Sequence, residues 1–250
     1  MKLGVSLPLT DIGEDPIIIR DFAQQAEELG YKHLAAADHV LGVNAKNRPH
    51  WGDRNTSDDC FHDPFVLFGF LAACTKNIEF TTQVLILPQR QAALVAKQAA
   101  CLDVLSNGRF RFGIGVGWNS EEYTALNQNF NNRGIQKVTL QRIAKYGDGW
   151  VMIAWPPNEE ALIQFKLLRE YVKNEGRKPT DVGIEVWVSA SGSPDEWRKE
   201  LEFWNKAGVT HACLNNTFSR YQHTRIKEHS VRAHTDAIFK YMDTVADLIE

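Results

Sequence analysis

Cysteine is scarce in this chain, and the few present are scattered. Cys60, Cys74, Cys101 and Cys213 form no C-x-x-C pair, which argues against a disulfide framework or a zinc site and for free thiols in the cytoplasm. An excess of either charge is also lacking. The 28 Lys and Arg against 31 Asp and Glu leave a net charge of −3, giving no basis for nucleic-acid or membrane-surface binding. Long apolar runs are missing too: the longest, Phe65–Cys74, is too short to cross a bilayer. The N-terminus lacks the basic-then-apolar order of a signal peptide, since Lys2 leads into a strand-like run broken by Pro8. No internal repeat or linker divides the chain, so residues 1–250 read as one soluble domain.

What is present is concentrated in residues 78–123. An apolar, β-branched run (Ile78–Leu87) precedes Pro88 and a helix-like stretch (Gln91–Leu105). Asn107-Gly108 closes that helix, and a second strand-like run (Arg109–Val116) ends in glycines. This is a β-α-β unit whose strands carry few polar residues between their ends, as in a parallel sheet covered on both faces. Polar residues collect where each strand exits toward its helix, the end that holds the site in α/β barrels.

Elsewhere the spacing predicts strands at Leu3–Leu9, His33–Ala37, Gly149–Ala154, Gly183–Ala190 and His211–Leu214. Helices are predicted after Asp15-Pro16, after Asp63-Pro64, over Glu159–Glu175, after Ser193-Pro194-Asp195 and over Val231–Leu248. A polar and aromatic loop, Val40–His62, contains Trp51 and Arg54. Seven strands result, whereas a parallel barrel closes with about eight. The expectation is a (β/α)8 barrel with one strand's stretch missing near residues 133–138. The alternative is a true deletion that leaves open sheet edges, which is costly.

The wording of these segments resembles a family. T-x-V-L-x-x-P-x-R, A-K-Q-A-A-x-L-D and S-x-G-R-x-x-x-G-x-G-x-G-W-x-x-x-E-Y occur in that order, with KLGVSLPL at the start, Asp38-His39, and AKYGDGW at Ala144–Trp150. Together they are similar to the luciferase-like flavin-dependent oxidoreductases, whose members use FMN or the deazaflavin coenzyme F420. The resemblance implies a TIM barrel of the bacterial luciferase type with the cofactor at its C-terminal mouth.

Asp38 and His39 end the second strand. An Asp-His pair there can simply cap a loop, but imidazole titrates near neutrality and suits proton movement. The resemblance makes His39 the catalytic residue and Asp38 a cofactor-lining one. It implies that Thr82, Gln83 and Val84 form a bulge behind the flavin ring, with a cis bond between Gln83 and Val84. Gly113-x-Gly115-x-Gly117 lacks the G-x-G-x-x-G spacing of a dinucleotide fold. Glycines at a strand end let a flat ligand approach the backbone, so Gly115 and Gly117 are cofactor-binding candidates. By resemblance Trp118 and Glu122 join them. Trp118 stands where one deazaflavin subgroup has a Glu, so that subgroup's proton-donor chemistry is not expected. Trp51 and His62 are substrate-pocket candidates. His211-x-Cys213 offers two ligands on one strand face and nothing more, so no metal site is expected. The family's phosphate loop follows strand five, in the stretch missing here.

The expected function is a flavin-type oxidoreductase. With reduced FMN, supplied by a separate reductase, it would monooxygenate a small organic substrate; with coenzyme F420 it would transfer hydride. The alternative is a non-catalytic flavin-binding or dimer-forming barrel subunit. A cytoplasmic homodimer acting on a small molecule, with no nucleic-acid or membrane partner, completes the expectation.

Overall fold

The structure is a computed structural model that describes residues 1–52, 55–132, 136–153 and 155–250. In chain order its elements are β1 (Lys2–Ser6), α1 (Leu9–Ile12), α2 (Pro16–Glu28), β2 (His33–Ala36), α3 (Pro64–Cys74), β3 (Glu79–Thr82), β4 (Leu85–Ile86) and α4 (Ala92–Leu105). There follow β5 (Phe110–Arg111), β6 (Ile114–Gly115), α5 (Ser120–Ala125), α6 (Gln136–Tyr146), β7 (Gly149–Met152) and α7 (Glu159–Asn174). The last elements are β8 (Gly183–Val188), α8 (Pro194–Lys206), β9 (His211–Leu214) and α9 (Val231–Val245). Every segment expected to be a strand contains one. The two long central ones are each broken in two, β3 from β4 and β5 from β6.

The chain forms two compact units. One comprises residues 1–5, 134–227 and 236–250. In it β1, β9, β8 and β7 pair in parallel, with Lys2 opposite His211, Glu185 opposite His211 and Gly149 opposite Gly183. Its buried centre includes Val186, Val188, Leu168, Leu201 and Trp204. The α8 helix starts where the sequence says it should: Ser193 Oγ accepts from the Glu196 N–H while the Glu196 carboxylate accepts from the Ser193 N–H, a reciprocal cap.

The other unit comprises residues 6–133 and 228–235 and carries nearly all the residues singled out above. Here β2, β3 and β5 pair in parallel, with Ala36 opposite Thr82 and Phe80 opposite Phe110, and β4 pairs with β6. Phe68, Phe80, Leu34 and Leu71 fill the core, and Phe65 and Phe68 lie against Phe110. Asp15 and Asp63 cap α2 and α3 as their Asp-Pro pairs predict. Glu27 ties α2 to the start of β3. Its carboxylate accepts from the N–H groups of Lys76, Asn77 and Ile78. Burial opposes its charge, yet those hydrogen bonds and nearby Arg109 outweigh burial and hold it below the usual carboxylate range.

Among the described residues no strand lies between β6 and β7. The stretch expected to be missing at 133–138 begins at residues 133–135, outside the described residues, and from Gln136 the chain is helical. Arg54 and the expected strand end at Ala154 also lie outside them.

Candidate functional site

The parallel ladders bring the ends of β2, β3 and β6 to one side, and the break between β3 and β4 shapes what lies there. The Gln83–Val84 peptide is cis, as expected. The ladder is interrupted at that point, and side chains and backbone replace its bonds. The Gln83 N–H donates to the Ala36 carbonyl at 2.8 Å. Thr82 Oγ1 donates to the Gly113 carbonyl at 2.6 Å and accepts from the Gly113 N–H at 2.9 Å. The Leu85 N–H then restarts the ladder on the Gly113 carbonyl.

The glycines of the Gly113–Gly117 run are required by this packing. A Cβ on Gly113 would overlap the Thr82 carbonyl oxygen, and one on Gly115 would overlap Val84 Cγ2. Gly117 has φ +64°, a conformation that favours glycine, with Ile86 beneath it. What approaches these glycines most closely is therefore the bulge itself.

His39 leaves the end of β2 and meets a carboxylate. Its Nδ1 lies 3.1 Å from Glu122 Oε2. The other carboxylate oxygen accepts from the N–H groups of Val40 and Leu41, at 2.8 and 3.3 Å. Glu122 is positioned by α5, whose first turn Asn119 caps by accepting from the Glu121 and Glu122 N–H groups. Its side chain is wholly buried, whereas that of His39 is 14% exposed. A buried acceptor at Nδ1 fixes the ring's orientation and puts a proton on Nδ1, leaving Nε2 for other chemistry. Aromatic rings flank the imidazole: Phe61 at 4.8 Å and, edge-on, Trp118 at 6.2 Å between centroids. Trp118 in turn stacks on Trp51 at 5.6 Å and 27°.

Asp38 points elsewhere. Arg90 donates to both its oxygens, at 2.6 and 3.2 Å, and the Ile86 N–H donates at 2.9 Å. Arg90 also reaches Asp63, the cap of α3, at 3.0 Å. Burial works against the Arg90 charge, but the hydrogen bonds and charges of Asp38 and Asp63 outweigh it and raise its pKa. The resulting clamp joins the end of β2, β4 and the start of α3. His62 is half-buried, with Nε2 2.7 Å from the Gly13 carbonyl.

The expected residues thus divide. The structure brings His39, Glu122, Trp118 and Trp51 together and sets Thr82, Gln83 and Val84 at the neighbouring bulge. It encloses Asp38 in the clamp and turns His62 toward Gly13. Sequence reasoning missed Phe61, Arg90 and the His39–Glu122 pairing. Arg90 sits in the ILPQR motif, so it was signalled without a role. Nothing local marks Phe61, and 83 residues separate His39 from Glu122.

A further feature bears on ligands. Gln89, beside Arg90, is buried with neither side-chain amide atom hydrogen-bonded, and Asn119 Nδ2 is also buried and unpartnered. Buried polar groups are ordinarily satisfied. These unmet amide atoms are therefore open to water or to a bound group.

Known proteins bear on the same chain. The family model described as luciferase-like monooxygenase matches residues 5–136. An uncharacterized Mycobacterium tuberculosis protein is 32% identical over 203 residues, spanning 79% of this chain and 68% of its own length. An F420-dependent secondary alcohol dehydrogenase, solved with an F420-acetone adduct, superposes with a TM-score of 0.69 at 15% identity, covering 98% of both chains. The oxygenating constituent of 3,6-diketocamphane monooxygenase from Pseudomonas putida, solved with FMN, gives 0.67 at 14% identity, covering 100% of this chain and 99% of that one. At such identities the structural matches establish the fold, the luciferase-like α/β barrel with one strand fewer among the described residues. The chain belongs to the luciferase-like monooxygenase family.

Proposed function

We propose that this protein is a flavin-type oxidoreductase in which His39 moves a proton to or from a small organic substrate. The observation that carries the reading is the His39–Glu122 pair: a buried carboxylate holds an imidazole by Nδ1 in an aromatic setting, with Nε2 left over. A flavin or deazaflavin, when bound, would accept hydride in its oxidised form and supply it in its reduced form. Thr82, Gln83 and Val84 would seat its ring.

The chain's own residues handle the proton. For a substrate alcohol, His39 Nε2 would accept the hydroxyl proton as hydride leaves carbon; in reverse it would return that proton to the carbonyl oxygen. Glu122 stabilises the imidazolium formed between these events, as a carboxylate behind a histidine does elsewhere. Trp118, Trp51 and Phe61 present apolar ring faces beside the imidazole, which favour an apolar substrate body. Such a proton relay favours hydride transfer with coenzyme F420. Monooxygenation with reduced FMN is the other family chemistry, and the FMN-bound likeness supports keeping it in the test.

The test is a spectroscopic titration of the purified protein with FMN and with F420, followed by turnover with alcohols and F420 and with reduced FMN and oxygen. Saturable binding of F420 and alcohol-dependent reduction are expected. Binding of neither cofactor would overturn the proposal.

A further inference from the structure

The loop that leaves β2 after His39 is gripped at three points by the start of α5. Its own backbone makes two tight turns. The Arg48 N–H donates to the Ala45 carbonyl and the Trp51 N–H to the Arg48 carbonyl, each at 2.9 Å. Asn44 Oδ1 starts the first turn by accepting from the Lys46 N–H at 3.2 Å. Val43 ties the loop to the returning chain, donating to the Asn55 carbonyl and accepting from the Ser57 N–H, each at 2.9 Å. The three grips differ in kind. At the root, the Glu122 carboxylate that holds His39 also accepts from the Val40 and Leu41 N–H groups. Farther out, Arg48 Nη2 donates to Glu121 Oε2 at 2.5 Å, with the two side chains 35% and 41% exposed. Beyond that, Trp51 stacks on Trp118. Hydrogen bonds to a wholly buried carboxylate are strong, whereas a half-exposed ion pair and a single ring stack are each weak. The root is firm, and the outer grips are ones that thermal motion releases.

We propose that residues 40–52 form a strap, hinged at Val40–Leu41 and latched by Arg48 on Glu121, which sets the substrates that reach His39, with Trp51 as the specificity-determining side chain. The inference rests on His39 as the residue that carries the proton. With the strap latched, the His39 side chain is 14% exposed. Phe61 and Trp118 lie against the imidazole and Trp51 against Trp118, so a slender substrate is favoured over a branched one. Val40, Leu41 and Trp118 stay 42%, 44% and 45% exposed. They give the entrance an apolar rim, suited to the hydrocarbon body of an alcohol or carbonyl compound and not to an anion. Glu121 and Glu122 are consecutive residues of α5, so one turn sets both the latch and the carboxylate that orients the imidazole. Asn55, the partner of Val43, is buried with neither side-chain amide atom hydrogen-bonded. An unmet buried amide disfavours the latched arrangement, which brings the latched and released states closer in free energy.

The test uses the full chain with Arg48→Met, Glu121→Gln, Trp51→Ala and Trp51→Tyr, and circular dichroism to confirm folding. Two readouts do not depend on turnover: hydrogen exchange over residues 40–52, and acylation of His39 by diethyl pyrocarbonate, followed by peptide mass. Arg48→Met and Glu121→Gln should each speed both about two- to fivefold, the range for losing an exposed ion pair, while exchange in α3 and β3 stays at the wild-type rate. The two changes together should do no more than either alone, because they remove one shared contact. The third readout is kcat/KM with F420 for branched against unbranched alcohols of equal carbon number. Trp51→Ala should raise that ratio about tenfold, Arg48→Met should move it in the same direction, and Trp51→Tyr should keep the wild-type ratio. Exchange and acylation untouched by Arg48→Met and Glu121→Gln would overturn the strap. A ratio unmoved by Trp51→Ala would overturn its role in specificity. Failure of every alcohol to turn over would instead overturn the chemistry proposed at His39, and exchange and acylation would still decide the strap.

Discussion

Replacing Arg90 with Met tests whether the clamp beneath the site holds it together. The Asp38 side chain is 1% exposed and that of Arg90 16%, so removing the guanidinium strands a carboxylate with only the Ile86 N–H to offset its charge. Breaking a buried pair by removing one partner costs about 3–5 kcal/mol. Asp38 keeps one hydrogen bond and Asp63, 35% exposed, can turn to water, so the lower end applies, about 3 kcal/mol. For a chain of this size that corresponds to a fall in melting temperature of about 6–12 °C. Scanning calorimetry on wild type and Arg90→Met reads the fall, and a cycle with Asp38→Asn reads the coupling. The double variant should recover about 1 kcal/mol or more relative to Arg90→Met alone, because no unpaired charge remains. A fall below about 1 kcal/mol, or strict additivity in the cycle, would refute the clamp.

Three other outcomes are expected. Glu27→Gln should destabilise the protein at neutral pH. The folded-state pKa of Glu27 is depressed, so its contribution is full above the unfolded value of about 4.3. The difference from wild type in urea titrations should therefore shrink as pH falls through the folded value, and a pH-independent difference would contradict the assignment. Gly115→Ala should cost about 1–3 kcal/mol, because the new Cβ meets the stiff, branched Val84 side chain; an unchanged melting curve would show that β6 can move away. Glu122→Gln should leave substrate KM nearly unchanged and lower kcat about tenfold or more, since a neutral amide stabilises the imidazolium less than a carboxylate does; a rise in KM alone would assign Glu122 to binding.

The elements most legible in the sequence were those with a chemical signature at their ends. Asp15-Pro16, Asp63-Pro64 and Ser193-Pro194 each mark a helix start, and the side chains of Asp15, Asp63 and Ser193 cap those helices. The strands were legible from apolar runs, but their interruptions were not. Between Thr82 and Leu85 the ladder breaks, and periodicity across Ile78–Leu87 carries no sign of it; only the family's wording did. The short α5 helix was missed because six residues give too little period to detect. Yet α5 positions Glu122. That pairing, like the fate of Asp38, depends on contacts between segments far apart in sequence. Asp38 and His39 are neighbours with the same local signal. One is enclosed by Arg90 and the other faces Glu122 because consecutive residues leaving a strand point to opposite sides.

The most direct test of the proposed chemistry is a single-turnover measurement on His39→Ala. Its cofactor binding, read by the absorbance of the bound ring, should match wild type, since His39 is a partly exposed residue outside the core. The rate of substrate-dependent cofactor reduction or oxidation should fall about 100-fold or more, the scale for losing a positioned acid or base. Unchanged turnover with normal cofactor binding would remove His39 from the mechanism.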